Sequence, residues 1–316
     1  MPEKEAVVSI FDRGFLYGDG LFETIRVVDG RPFRWAAHLA RLQGGADFLK
    51  ISWPGFLNGG AANSIRSGRP VGQAGCGIHE QLLRAAGALI ARNKTRDGVL
   101  RLNLTRGIGP RGYSPAGATQ PTLAMTLHPM PETIGNPPGW SLMTSSLRLP
   151  LNDPLSRFKT ANKLAQIAAR MEADAAGADE ALLANTNGFA AEAAAANLFW
   201  VEDGRVFTPP TAAGILPGIT RALVFEIGSR LEIPVRERNI RPGDLARMDG
   251  VFLSLTSLGI VEARALDGKR LKRSPLTRRI AEWLHEERGN GARDGAGTDR
   301  YASEQNVARR MADMAK

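Results

Sequence analysis

The 316-residue chain contains one cysteine, Cys76. A single thiol excludes an internal disulfide framework and a cysteine-based zinc site. No apolar run approaches the length of a membrane span. The first residues, MPEKEAVVS, lack the apolar core of a signal peptide, and no internal repeat is visible. These absences imply a cytoplasmic protein without a membrane partner. Acidic residues are also in short supply: 32 Asp and Glu against 41 Lys and Arg leave a net charge of +9. Such an excess can mark a nucleic-acid partner. Here it is arginine scattered along the chain with acids interleaved, and no zinc-finger or RNP pattern accompanies it. The one dense stretch is LDGKRLKRSPLTRR, 266–279. We read a solvated basic surface suited to attracting small anionic substrates, with no nucleic-acid partner. A non-catalytic, nucleic-acid-binding protein is the remote alternative. With 43% hydrophobic and 23% charged residues the composition is that of an ordinary globular protein, long enough for two modest domains.

Local patterning divides the chain. GLFETIRVV (20–28) reads as a strand turned by Asp29-Gly30. HLARLQGGADFL is helical, with Leu39, Leu42, Ala46 and Leu49 on one face. Residues 55–77 carry seven glycines and no periodicity, the mark of a long loop or insert. A helix over His79–Asn93 follows, then strands VLRLNLTRG and TLAMTLHP. PMPETIGNPPG (129–139), with four prolines and two glycines, reads as a linker. The expected organisation is a small N-terminal α/β domain over 1–128, a larger domain over 140–289 and a tail over 290–316. The larger domain should run strand, helix at about 160–176, strand EALLAN, an alanine stretch, a hairpin, a helix at about 219–231, and strands around EIPVRERNI and GVFLSLTSLGIVEA.

The alanine stretch holds the main local conflict. In NTNGFAAEAAAANLFW (185–200) the one charge is Glu192. Propensity alone makes this a helix. Yet Asn187-Gly188 marks a turn before it, and NLFWVEDGRVFTP after it reads as a hairpin turned at Glu202–Arg205. Strand and tight loop are therefore expected. A carboxylate that leaves water needs a partner, and this stretch offers none. Either Glu192 stays in solvent or its partner comes from elsewhere.

Three further places could carry chemistry. Lys159 stands ahead of a helix whose apolar stripe is Leu164, Ile167, Met171 and Ala175, with Gly177 closing it. It is either solvated surface or a Schiff-base lysine activated by partial desolvation. Lys163, four residues on, could share its helix face. Pro217-Gly218 precedes a helix with Leu223, Ile227 and Leu231 on one face. Gly218, Ile219 and Thr220 would offer backbone N–H groups to a phosphate, with the Thr220 hydroxyl in addition, although many helices start after Pro-Gly and bind nothing. Near the N-terminus, Gly18 and Gly20 bracket Asp19, and Arg41 follows in the next helix, by itself a surface arginine.

Taken in order, FDRGFLYGDGLFETIRV, HLARL, LTRGIGPRGYS, FKTANKL, DEALLANTNGFAAEAAAANLFW and GILPGITR resemble the fold-type IV pyridoxal-phosphate enzymes, the class IV aminotransferases. That family includes branched-chain aminotransferases, D-amino acid aminotransferases and 4-amino-4-deoxychorismate lyases. The resemblance covers about residues 7–270. It implies an α/β (α+β) two-domain fold, with a small N-terminal α/β domain and a larger C-terminal pseudo-barrel domain. It also implies pyridoxal 5′-phosphate as cofactor, and a homodimer. By resemblance, Lys159 forms the Schiff base with the cofactor and moves the substrate proton. Glu192 hydrogen-bonds the pyridine nitrogen and keeps the ring protonated. Arg41 pairs with the phosphate, together with Gly218 and the amides of Ile219 and Thr220. Leu216 packs on the ring face, Thr256 is a further phosphate contact, and Asn197 has a structural role. The chain departs from the family in two ways. Members usually begin with a further hairpin before the segment that starts here at about Ala6, and the 55–77 stretch is long.

Arg111, in GPRGYS, bears on the reaction. D-amino acid aminotransferases and deoxychorismate lyases carry an arginine there that can hold a substrate carboxylate, for which a bidentate fork is suited. Branched-chain enzymes generally lack it. RGYS and AANLFW look most like the lyase. Against it, Ser254-Leu255 stands where the lyases usually show Thr-Asn, and Leu255 supplies no amide. Phe22 occupies the place where D-amino acid enzymes often have tyrosine. Phe22, Arg111 and Ser257 are the candidate substrate contacts. The expected activity is transfer of an amino group between an amino acid (branched-chain L- or D-) and a 2-oxo acid. The alternative is 4-amino-4-deoxychorismate lyase, which releases pyruvate.

Overall fold

The computed structural model describes residues 2–55, 57, 77–131 and 139–293. Most of the glycine-rich 55–77 stretch, most of the 129–139 linker and the tail beyond 293 lie outside the described residues. Contacts group the described chain into two units. The first runs to Pro129 and also takes Lys159–Asn162. The second comprises Met130–Phe158 and the chain from Lys163 onward. The sequence reading keeps 159–162 with the larger domain, whereas their contacts belong to the first unit.

The first unit is built on a four-stranded antiparallel sheet of order β2-β1-β3-β4. Its strands are β1 (Gly20–Val28), β2 (Arg31–Pro32), β3 (Gly98–Ile108) and β4 (Gln120–His128). Helices α1 (Arg13–Tyr17), α2 (Trp35–Leu49) and α3 (Ile78–Arg92) accompany it. Asp29 and Gly30 both take positive φ, 47° and 76°, the geometry an Asp-Gly hairpin turn requires. Leu39, Leu42 and Ala46 of α2 are buried, as their spacing implies. Leu21, Glu23, Ile25 and Val27 alternate along one face of β1, and all four are buried. At the start of β1 the segment 159–161 is stitched on as a further short edge. Phe22 N donates to Lys159 O at 2.9 Å, and Ala161 N donates to Gly20 O at 2.8 Å.

The second unit is a nine-stranded mixed sheet. It contains β5 (Trp140–Leu149), β6 (Glu180–Asn185), β7 (Ala190–Ala193), β8 (Asn197–Glu202), β9 (Arg205–Thr208), β10 (Val235–Glu237), β11 (Gly250–Leu255), β12 (Gly259–Leu266) and β13 (Lys269–Arg270). A pairing of β7 with β8 closes the path β8-β11-β12-β5-β6-β7 on itself, which makes the sheet barrel-like. Phe199 and Phe252, directly opposite on β8 and β11, stack with centroids 4.9 Å apart. Helices α4 (Leu164–Ala175), α5 (Ile219–Arg230) and α6 (Pro275–Arg293) complete the unit.

The alanine stretch is strand and turn. Ala190, Ala193 and Ala196 belong to one core with Leu182, Leu198, Trp200 and Leu253. Ala191 belongs to another, with Ala169, Ala173, Ala213 and Ile215. With packing on both faces, small side chains fit and helix propensity is overridden.

Helix α4 corrects two expectations. It starts at Leu164, with Lys163 as its N-cap, so Lys159 and Lys163 share no helix face. Its apolar stripe also points outward: Leu164, Ile167 and Met171 are 73%, 53% and 66% exposed. The buried face is Ala169 and Ala173, because alanine lets the helix lie close against Ala181 and Leu183. Helix α6 has no counterpart in the sequence reading. Ile280 and Leu284 are its buried anchors in an otherwise charged segment. Among the described residues, no helix is long and apolar enough to cross a membrane.

Candidate active site

In the first unit the structure brings Lys159, Phe22 and Arg41 into one neighbourhood. Lys159 Nζ stands 4.6 Å from the centre of the Phe22 ring, and the Arg101 guanidinium 4.0 Å from it. Such contacts hold a cation at a fixed place against an aromatic face. Glu23, fully buried, binds Arg41 in a fork: Nε to Oε1 and Nη2 to Oε2, both at 2.8 Å. His38 Nδ1 lies 2.7 Å from the same Oε2. Burial alone would raise the Glu23 carboxyl, but Arg41 and His38 outweigh it and lower it to about 2. Burial lowers His38 beyond what Glu23 restores, and the charges of Arg41 and Lys159 push it the same way. Lys159 is thus within electrostatic reach of the cluster that holds Arg41.

This cluster makes the fold acid-sensitive in a predictable direction. Glu23 titrates near 4.5 when unfolded and at about 2 when folded. The unfolded chain therefore takes up the extra proton, and stability falls as the pH drops through that interval, by roughly 3 kcal/mol in all. His38, whose folded value lies below its ordinary 6.5, adds a loss in the same direction from about that pH downward. Urea unfolding from about pH 5 to about pH 3 should show a steep loss in the wild type. In Glu23→Gln the curve should be flatter, starting from a lower plateau. Parallel curves would remove Glu23 from the acid response.

In the second unit β7 carries a bulge. Ala184 pairs with Ala190 and Leu183 with Glu192, which leaves Ala191 extra. A bulge re-aims the side chains beside it, and Glu192 is the next residue. Opposite stands Asn197 of β8. Its Nδ2 donates to Glu192 Oε2 at 3.2 Å and to Leu216 O at 2.8 Å, while Leu216 N donates to the same Oε2 at 2.9 Å. Leu216 is thus hooked by both its backbone groups just before α5 begins. Gly218, the N-cap, is extended and makes no side-chain cap bond. A Cβ there would stand 2.1 Å from Asn197 Oδ1, so the glycine is demanded by space rather than by φ. The amides of Ile219 and Thr220 that follow have no partner within the helix. Arg221, buried in the same turn, donates to Pro209 O at 3.1 Å and pairs with Glu237. Burial lowers its pKa, while Glu237 and Glu192 favour its charged form. Glu192, isolated in sequence, therefore has a cation within electrostatic reach, and that cation is already engaged by Glu237.

Thr256 and Ser257, both half-buried, form the turn between β11 and β12. Arg288 of α6 supports the turn by donating to Thr256 O at 2.9 Å. Ser254 pairs in register with Asn197. Arg111 is exposed on the loop between β3 and β4. Sequence reasoning missed Glu23, His38 and Arg101. Glu23 had a signal, since it is a carboxylate in register with Leu21, Ile25 and Val27 on a core-facing strand. His38 had one too, three residues before Arg41 on the same helix face.

The sequence profile of the family described as amino-transferase class IV matches residues 20–266. The chain belongs to the class IV aminotransferase family. A protein of Methanocaldococcus jannaschii provisionally named a branched-chain-amino-acid aminotransferase is 33% identical, over 85% of this chain and 86% of its own length. The 4-amino-4-deoxychorismate lyase of Pseudomonas aeruginosa is 31% identical, with a TM-score of 0.72, covering 89% of this chain and 96% of that one. The branched-chain amino acid aminotransferase of T.th., solved with pyridoxamine 5′-phosphate, reaches a TM-score of 0.80 at 27% identity, covering 93% and 92%. The class IV family is one of pyridoxal-phosphate-dependent enzymes, and its transferase and lyase branches both stand among these relatives. The barrel-like second unit agrees with the pseudo-barrel that the resemblance implies.

Proposed function

We propose that this chain is a pyridoxal-phosphate-dependent aminotransferase, exchanging an amino group between a branched-chain L- or a D-amino acid and a 2-oxo acid. The observation that carries the reading is the coupling of Glu192 to the start of α5 through Leu216 and Asn197. A carboxylate and an amide-rich helix end, tied by one hydrogen-bonded link, suit a ligand with an N–H donor at one end and a phosphate at the other. The pyridinium nitrogen and phosphate of pyridoxal 5′-phosphate have these two properties, and Lys159 supplies the amine such a cofactor requires. Family membership supports the same reading.

When bound, the cofactor supplies a conjugated, electron-accepting ring that stabilises negative charge at the substrate Cα. Glu192 keeps the ring nitrogen protonated by a charge-assisted hydrogen bond. Arg41, aligned by Glu23, would hold the phosphate together with Ile219 N, Thr220 and Thr256, and Leu216 would pack on the ring. Lys159 Nζ tethers the cofactor, then takes and returns the proton at the substrate Cα. Phe22, Arg111 and Ser257 contact the substrate, with Arg111 pairing with a carboxylate.

The lyase is the second reading, favoured by Arg111 with its RGYS string and by the similarity to the Pseudomonas enzyme. Leu255 counts against it. Absorbance spectra with a panel of L- and D-amino acids separate the two. Bleaching of the lysine-linked cofactor band to the pyridoxamine form, with release of a 2-oxo acid, is expected. Pyruvate release from aminodeoxychorismate without a lasting pyridoxamine form would overturn the aminotransferase reading. We read the enzyme as a cytoplasmic homodimer. The outward Leu164, Ile167 and Met171 stripe supports the dimer, and a monomer in sedimentation would refute it.

A further inference from the structure

Arg13 is 2% exposed although it begins a five-residue helix. Its Nε donates to Asp19 at 2.9 Å. Nη1 donates to Pro110 O at 3.1 Å and to Gly112 O at 2.8 Å, and Nη2 to Tyr113 O at 3.3 Å. Tyr17, one turn on, accepts a hydrogen bond from Gly112 N at 2.9 Å and meets the Tyr113 ring edge-on. Asp19 balances the buried charge and is shared with Arg106, which donates in turn to Leu49 O and Lys50 O at the end of α2. Gly112 takes φ of 110° with open space around it, so the backbone bend after residue 111 is what calls for glycine. One buried guanidinium thus grips the carbonyls on both sides of Arg111. The Arg111 side chain itself is exposed and makes no hydrogen bond or ion pair with the described residues.

We propose that Arg13 and Tyr17 are positioning residues that hold the 110–113 loop so that the Arg111 guanidinium is presented, already ordered, to a substrate carboxylate. This inference rests on the reading of Arg111 as the carboxylate contact. A loop that merely covered the sheet would need no buried cation on three carbonyls around one outward-facing arginine. Fixing the backbone lowers the ordering cost of binding and leaves the bond-breaking steps unchanged. The effect should therefore fall on KM.

The test measures kcat and KM for the amino donor in Arg111→Gln, Tyr17→Phe, Arg13→Lys and the Arg111→Gln/Tyr17→Phe double variant, with melting curves. Arg111→Gln should raise KM by about 10- to 100-fold. Tyr17→Phe, which removes a single hydrogen bond, should raise it about 5-fold with kcat and melting temperature near wild type. Arg13→Lys, which loses the fork, should raise it more. In the Arg111→Gln background Tyr17→Phe should add nothing, because it acts through the missing side chain. Multiplying effects in the double variant, or a fall in kcat at constant KM, would overturn the inference. So would unchanged KM in Tyr17→Phe and Arg13→Lys while Arg111→Gln raises it. An unchanged KM in Arg111→Gln would instead remove the underlying reading of Arg111.

Discussion

Glu192→Gln is expected to slow turnover by about 100-fold or more while leaving the fold and the bound cofactor in place. The substitution keeps shape and removes charge. Leu216 N and Asn197 Nδ2 both donate to a single oxygen of Glu192, and a glutamine oxygen can still accept both. The hook before α5 therefore survives, and with it the phosphate end of the proposed site. Arg221 keeps its bonds to Glu237 and Pro209 O, so removal of the nearby carboxylate does not leave it without a partner. What is lost is the anion that holds a proton on the ring nitrogen, and with it the ring's capacity to accept electrons from the substrate Cα. Stopped-flow absorbance with the best amino donor separates the effects, since cofactor binding should be near wild type and the proton-transfer step slow. Turnover equal to wild type would refute the role given to Glu192.

The same residue shows what a sequence can and cannot reveal here. Turn signals at Asn187-Gly188 and at Asp203-Gly204 were enough to read strands through an alanine run, because turn chemistry is local. The bulge at Ala191 and the register that sets Asn197 opposite Glu192 are pairing facts, written in no single segment. Helix α4 teaches a related point. Periodicity finds its apolar stripe, yet periodicity is silent on which face meets the sheet, and the alanine face took that place. Glu23 is the opposite case. Its register with Leu21, Ile25 and Val27 was legible, and a carboxylate there demands buried cations. Arg41, a surface arginine by default, turned out to be one of them. Helix α6 was hidden because its few apolar anchors are diluted by arginines and glutamates, although Arg288 reaches back to the Thr256 turn.

Lys159→Ala should have the largest effect of any single substitution, a loss of turnover of about 10,000-fold or more together with the disappearance of the lysine-linked cofactor band. The structure predicts that this loss is chemical. Lys159 is held by main-chain bonds, Phe22 N to Lys159 O and Ala161 N to Gly20 O, which alanine keeps. Helix α4 starts beyond it, at Leu164, so no helical turn depends on the side chain. The melting temperature should stay close to wild type. Charge and chemistry can then be separated through His38, whose pKa is depressed first by burial and in smaller part by Lys159. In cofactor-free Lys159→Ala one repelling charge is gone, and the His38 titration followed by NMR should move upward. Lys159→Arg restores a cation without a nucleophilic amine, so His38 should stay depressed while turnover remains lost. Residual turnover within about tenfold of wild type in Lys159→Ala would exclude a covalent and proton-moving role, whatever His38 does, because loss of such a role should cost several orders of magnitude, whereas a residue that only shaped the local field would cost no more than such a small factor.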